Sequence, residues 1–284
     1  MDIQPGQITI NLGALPLGRV DEYGVDWAID RRGFDGWGAT RSTRRTEQKT
    51  RGHGGTSGEG FLAPRAIAVR GRAYAPTPEA ARYALDRLND AASIDDFVYT
   101  VNEPGLSRWL FAHRVDDVQV AWTTPTELAW TVGLVADDPR KLHQELSAAT
   151  GLPSTTGGLT IPYTVPFTIN ATTVSGQVSL TNPGNIAGPV RLRIDGPVAG
   201  PVITHVASGR SLVFSSSYTL GAGQWLDIDM DAHTVLENGQ ANRRMYVISD
   251  DWSGFEPGAN TWTFTAATFD IAAALTVYAT PADK

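Results

Sequence analysis

The chain of 284 residues contains no cysteine. That excludes a disulfide framework, a zinc–thiolate centre, an iron–sulfur cluster and a cysteine nucleophile together. Charged residues are sparse, at 19%, and the net charge of −7 gives the chain as a whole no basic surface for nucleic acid. No apolar run approaches the ~20 residues of a membrane span, and Met1 opens into a polar, Gly-containing stretch rather than a signal peptide. What is abundant is the turn residues: 29 Gly and 17 Pro. The length allows one large domain or two ordinary ones with a real core. Composition predicts a soluble, Gly-rich protein that need not be an enzyme.

Charge falls unevenly along the chain. Residues 1–150 hold 17 Lys/Arg and 20 Asp/Glu, whereas 151–284 hold 6 and 10. The break coincides with Ser147-Ala-Ala-Thr-Gly-Leu-Pro-Ser-Thr-Thr-Gly-Gly158, which has too little apolar surface to order itself and reads as a linker. Two domains are expected, 1–150 and 151–284.

In the first, Ile8, Ile10 and Leu12 alternate with polar residues, and strands are predicted over 7–12, 25–29 and 65–71. Further strands are expected over 96–101, 108–116, 118–122 and 127–135. The stretch 33–60 carries eight Gly and little to bury, and reads as a long mobile loop. A helix is predicted over 77–91, with Thr77 as N-cap, Pro78 at its first position and Glu79 facing the positive end of its dipole. Ala81, Ala84, Leu85 and Leu88 form its apolar stripe. A second, shorter helix is expected from Asp137-Asp-Pro139, with Leu142 and Leu146 on one face. The second domain shows no helical period. Its short runs of Val, Ile, Thr, Phe and Tyr are punctuated by Asn182-Pro-Gly, Asp195-Gly-Pro, Ser208-Gly, Gly221-Ala-Gly, Asn238-Gly and Pro257-Gly. That is the pattern of an antiparallel sandwich or barrel, and Asn238-Gly239 is its best hairpin signal.

Candidate chemistry is thin. Asp227, Asp229, Asp231 and His233 share a strand face and could ligate a metal. Ala232 and Asn238 stand where an EF-hand loop needs Gly and Glu, and buried alternation of Leu226, Ile228 and Met230 explains the pattern as a polar strand face. Gly55-Thr-Ser-Gly-Glu59 lacks the closing Gly of a nucleophile elbow, and both phosphate-loop fingerprints are missing. His53, His113, His143, His205 and His233 have no ligand spacing. The adjacent acids Asp95-Asp96, Asp116-Asp117 and Asp250-Asp251 would face opposite ways in a strand, and nothing favours a glycosidase pair. Trp122, Trp130, Trp225 and Trp262 sit in apolar strand patterns and are expected in the core. The one basic concentration beyond Arg31-Arg32 is Arg41, Arg44, Arg45, Lys49 and Arg51. It reads either as a contact surface for phosphates or an acidic partner, or as a solvated loop.

Several segments taken together resemble siphophage distal tail proteins and related minor tail proteins of actinobacteriophages. They are Arg65-Ala-Ile-Ala-Val-Arg-Gly71 with the Thr77-Pro78 helix, Val132-Gly-Leu-Val-Ala-Asp-Asp-Pro139, Gly158-Leu-Thr-Ile-Pro162, Asn182-Pro-Gly-Asn185, Ile194-Asp-Gly-Pro197 with Gly200-Pro-Val-Ile203, Trp225-Leu-Asp-Ile-Asp229 and Glu256-Pro-Gly-Ala-Asn260. Their order and spacing, over most of the chain, carry the likeness. The resemblance implies a mainly β fold: an N-terminal β-sandwich with one or two helices and a C-terminal galectin-like antiparallel β-sandwich. It implies a non-enzymatic structural part of the virion tail tip, made in the host cytoplasm, whose ring, commonly hexameric, joins the tail tube to the tail-tip hub. The implied partners are further copies of the chain, a tail tube protein, a hub or baseplate protein and, as one option, a tape measure protein, with neither membrane nor sequence-specific nucleic acid. No catalytic residue, metal or cofactor is implied. Asn182, Gly184, Gly196, Asn238, Gly239, Gly258 and Asn260 carry over as turn architecture only. On this reading Arg41, Arg44, Arg45, Lys49 and Arg51 are expected to touch a neighbouring subunit, the tube or the channel. The alternative is a β-sandwich module of the virion that binds carbohydrate or a host receptor through exposed aromatics.

Overall fold

Alternation of apolar and polar residues sets the architecture seen in the structure, a computed structural model that describes residues 8–156, 172–174, 176–268 and 270–284. The chain divides into two units, Met1–His143 and Gln144–Asp283. It is mainly β, at 56% strand and 7% helix, with multiple antiparallel sheets.

The first unit contains β1 (Thr9–Leu12), β2 (Leu15–Leu17), β3 (Asp26–Asp35), β4 (Ser42–Gln48), β5 (Gly55–Leu62), β6 (Arg65–Tyr74), α1 (Pro78–Ala91), β7 (Phe97–Glu103), β8 (Leu106–Arg114), β9 (Gln119–Thr124), β10 (Glu127–Ala136) and β11 (Lys141–Leu142). Its main sheet runs β2-β1-β7-β8-β10-β6-β3, with β9 alongside β10 and β11 alongside β8. The β8–β10 step is short, Leu134↔Arg114 and Val135↔His113. β6 and β10 bury every second side chain, as period-2 geometry demands of a strand with one face on the core. The core holds Trp27, Phe34, Trp37, Tyr99 and Trp130, with Trp27 and Trp130 edge-to-face at 6.2 Å. The helix has the expected cap: Ala80 N donates to Thr77 Oγ1 at 3.2 Å. It buries Ala81, Ala84 and Leu88 and lies against β2 and β6.

The second unit contains β12 (Leu146–Gly151), β13 (Ser154–Thr156), β14 (Thr172–Val174), β15 (Gln177–Asn182), β16 (Val190–Asp195), β17 (Val198–Ala199), β18 (Val202–His205), β19 (Arg210–Phe214), β20 (Thr219–Leu220), β21 (Trp225–Asp229), β22 (Thr234–Glu237), β23 (Ala241–Asn242), β24 (Val247–Asp250), β25 (Gly258–Thr265), β26 (Ala274–Ala279) and β27 (Ala282–Asp283). A six-stranded sheet, β12-β26-β16-β21-β22-β23, and a five-stranded one, β15-β25-β18-β19-β24, bury one face each in a shared core. Leu192, Ile194, Leu226, Ile228, Leu275 and Val277 come from the first sheet, and Ile203, Leu212, Phe214, Trp262 and Phe264 from the second. Asn238 and Gly239 both take positive φ, 50° and 70°, and Gln240 N donates to Glu237 O, closing the predicted hairpin turn.

Four expectations are corrected. The stretch 33–60 is not a loop: it ends β3 and then forms the β4–β5 hairpin, whose ladder needs no buried face to satisfy backbone groups. No helix starts at Asp137; Lys141–Leu142 and Leu146–Gly151 are strands, because each finds a partner edge. The supposed linker 147–158 includes most of β12, paired along β26 from Leu146↔Ala279 to Gly151↔Ala274. Trp225 is half-buried because it lies on the solvent side of β21, and Trp122 is exposed although its pairing with Leu128 puts it on the face of β9 that holds Val120, because it lies beyond Val118 and Val120, which pack on the core; Trp130 and Trp262 are buried. The segment Gly158-Leu-Thr-Ile-Pro162 lies outside the described residues.

Candidate functional site

The five basic residues singled out in the sequence come together on one hairpin. Arg44 and Arg45 lie on β4, Arg41 precedes it, and Lys49 and Arg51 occupy the turn to β5. Every residue of β4 is exposed, and β5 is exposed except for half-buried Leu62. Among the described residues the two strands pair only with each other. Arg45 meets Glu47 at 3.0 Å in open solvent, a contact worth little. Among the described residues, Arg41, Arg44, Lys49 and Arg51 have no ion pair. A hairpin with neither face covered is marginal in water.

Its root is the opposite. Gly36 takes φ +86°, and a Cβ there would lie 1.9 Å from Ala66 O, so only glycine lets the chain pass β6 this closely. The next residue, Trp37, is buried and stacks on Phe34 at 6.1 Å. Arg65, 1% exposed, donates from Nη1 to Gly36 O (2.9 Å) and Trp37 O (2.8 Å) and from Nε to Pro139 O (2.9 Å). Lys141 Nζ donates to the Trp37 and Gly38 carbonyls at 3.4 and 3.3 Å. These carbonyls replace the water that two buried cations lose. Burial and the nearby Arg108 guanidinium push the Arg65 pKa down to about 10, which leaves it charged at neutral pH. Arg65, Arg108 and Lys141 all lie 5.6–6.0 Å from the Trp37 ring centroid.

A second feature of the first unit has no sequence signature. The Asp21 carboxylate accepts from Tyr23 N, Val25 N and Trp27 Nε1, each at 2.9 Å, and pairs with Arg87 on α1. Burial alone would raise its pKa; the hydrogen bonds from Trp27, Val25, Tyr23 and Arg87 outweigh that and hold it below the usual value. The Arg87 guanidinium then lies over the Tyr23 ring at 4.2 Å. On either side open two depressions of about 520 and 730 Å³ that share Tyr23, Arg87 and Asp90. The partners are 66 residues apart, so no local pattern announces them.

In the second unit, Asp227 and Asp229 face away from the core on β21, as a polar strand face requires. Asp227 accepts from Trp225 Nε1 at 2.8 Å, and Asp229 accepts from the backbone N of Asp231 and Ala232, tying the turn. His233 stacks on Trp252 at 4.7 Å. No group of three or more His, Asp or Glu among the described residues is placed to hold a metal. On the same sheet face, Arg193 covers Trp225 at 4.7 Å and Arg191 covers Tyr278 at 5.5 Å.

The class of the second unit comes first: residues 184–276 match the family described as siphovirus-type tail component, C-terminal domain. The whole chain then superposes on the Dit protein of phage SPP1, described as a paradigm of hub adsorption apparatus in phages infecting Gram-positive hosts, with a TM-score of 0.66 at 12% identity. That alignment covers 97% of this chain and 98% of the SPP1 protein. A chain of the phage P2 baseplate in its activated conformation with Ca aligns at 9% identity and a TM-score of 0.48, covering 96% and 97%. No curated protein matches by sequence. Residues 184–276 are thus similar to a siphovirus-type tail component domain, and the chain shares its fold with the SPP1 Dit protein over the full length of both, which supports the resemblance read from the sequence.

Proposed function

We propose that this chain is a structural, non-enzymatic component of a siphophage tail tip: a distal tail protein whose ring joins the tail tube to the tail-tip hub. The observation that carries the reading is the shared fold over the full length of both chains, combined with the family match at 184–276. On this reading the protein belongs to the virion, with further copies of itself, a tube protein and a hub or baseplate protein as neighbours. A hexamer is the expected ring. Negative-stain images of the purified protein should show six-fold rings; compact monomers at all concentrations would overturn the ring.

The exposed hairpin β4–β5 is the proposed assembly contact. Replacing Arg41, Arg44, Arg45, Lys49 and Arg51 with Ser should weaken ring formation or docking on tail tubes and leave the melting temperature unchanged. Undiminished assembly and docking would remove the hairpin from the contact. The glycan-module alternative draws less support, because the outward aromatics of the six-stranded sheet, Trp225 and Tyr278, already lie under arginines.

A further inference from the structure

We propose that the groove beside α1 is the receptor for the β4–β5 hairpin of a second copy of this chain. The inference rests on the tail-tip reading and supplies its ring with a specific contact. Two surfaces of one unit are unsatisfied in complementary ways. The groove is lined by the carboxylates of Asp21, Glu22, Glu79, Asp86 and Asp90 and by a single base, Arg87. Asp21 and Arg87 neutralise each other. Among the described residues, Glu22, Glu79, Asp86 and Asp90 have no ion pair. Four unpaired carboxylates thus surround the groove, and four unpaired cations sit on the hairpin.

The groove also presents flat aromatic surface. Tyr23 is 60% and Tyr83 68% exposed, and the Tyr83 ring has no ring or cation neighbour among the described residues. Arg87 over Tyr23 already shows the arrangement that an incoming arginine would make on Tyr83. Depressions of about 520 and 730 Å³ leave room for side chains from the β4 edge of a two-stranded ribbon. Docking would cover one face of a hairpin that has none covered now. Because donor and receptor are different surfaces, the contact is heterologous: each copy gives a hairpin to one neighbour and takes one from the other. Such a contact closes into a ring when its rotation divides a full turn.

The test uses the full chain. Arg44→Glu with Arg45→Glu, or Asp86→Arg with Asp90→Arg, should each weaken self-association at least about tenfold at low salt, read by sedimentation velocity. The wild-type contact should itself weaken as salt rises. Combining all four reversals should restore rings, and mixing the two double variants should restore them too, as alternating rings, because each hairpin then meets a groove of opposite charge. Since the chain has no cysteine, Arg45→Cys with Tyr83→Cys gives a clean second readout: a disulfide ladder of oligomers on oxidation, each link joining position 45 of one copy to position 83 of the next. Homotypic dimers, joined through position 45 of both copies or position 83 of both, would overturn the proposal, as would a monomer-sized product or no cross-link. Rings that survive both reversals would overturn it as well, while leaving the tail-tip reading intact.

Discussion

β6 and β10 pair over ten residues, from Arg65↔Ala136 to Tyr74↔Glu127, and β6 alternates buried and exposed along its whole length. β4 and β5 make the same kind of ladder, from Ser42↔Leu62 to Gln48↔Gly55, with no alternation at all. Backbone hydrogen bonding is common to both, and burial belongs to one. Periodicity in a sequence therefore reports a strand's environment, not the strand itself. A strand with neither face covered looks like a loop in the sequence.

The comparison can be broken in order of expected effect. Trp130→Ala on β10 should cost the first unit about 3–5 kcal/mol, since the ring is 2% exposed and packs on Trp27; chemical denaturation reads it. Arg65→Ala, where β6 meets the hairpin root, should cost about 2–4 kcal/mol, because the carbonyls of Gly36 and Pro139 lose the Arg65 donor and that of Trp37 keeps only its longer bond from Lys141. Limited proteolysis should then cut between 38 and 62 much faster than in the wild type. Asp21→Asn should cost about 1 kcal/mol at neutral pH, where the carboxylate holds Trp27 and Arg87. With a folded pKa below the unfolded value near 3.8, that contribution is present above roughly pH 5 and is lost as pH falls through the folded pKa. Denaturation series on the two proteins should therefore converge on acidification. Phe61→Ser on β5 should shift stability by no more than about 0.5 kcal/mol, since the ring is exposed and anchors no core. A larger loss would mean that the hairpin is already covered within its own chain.

Much of the fold was legible because it obeys local rules. Thr77 and Pro78 announced α1, the alternation in β6 and β10 announced the core face, and Asn238-Gly239 announced its turn. Errors arose where a partner strand, not the segment's own pattern, decides the outcome. Ser147 to Gly151 are small and polar, yet they pair along β26; Leu142 reads as helical, yet it pairs with Trp109 of β8. Of the candidate site, the basic residues were visible as a cluster, although the ladder that gathers them was not. The groove was invisible, because Asp21 and Arg87 meet only after β3, β6 and α1 have packed. The same holds for Arg65, which reads as an ordinary first residue of a strand and proves to be a buried cation held by three carbonyls.

The hairpin root has a mechanical consequence. A pull on the arm of residues 42–62 reaches the body of its unit at Trp37. There Arg65 and Lys141 bind the carbonyls of residues 36–38, and Arg65 also grips the carbonyl of Pro139 on a separate stretch of chain. Tension on the arm is thereby spread over two segments instead of peeling one strand from its sheet.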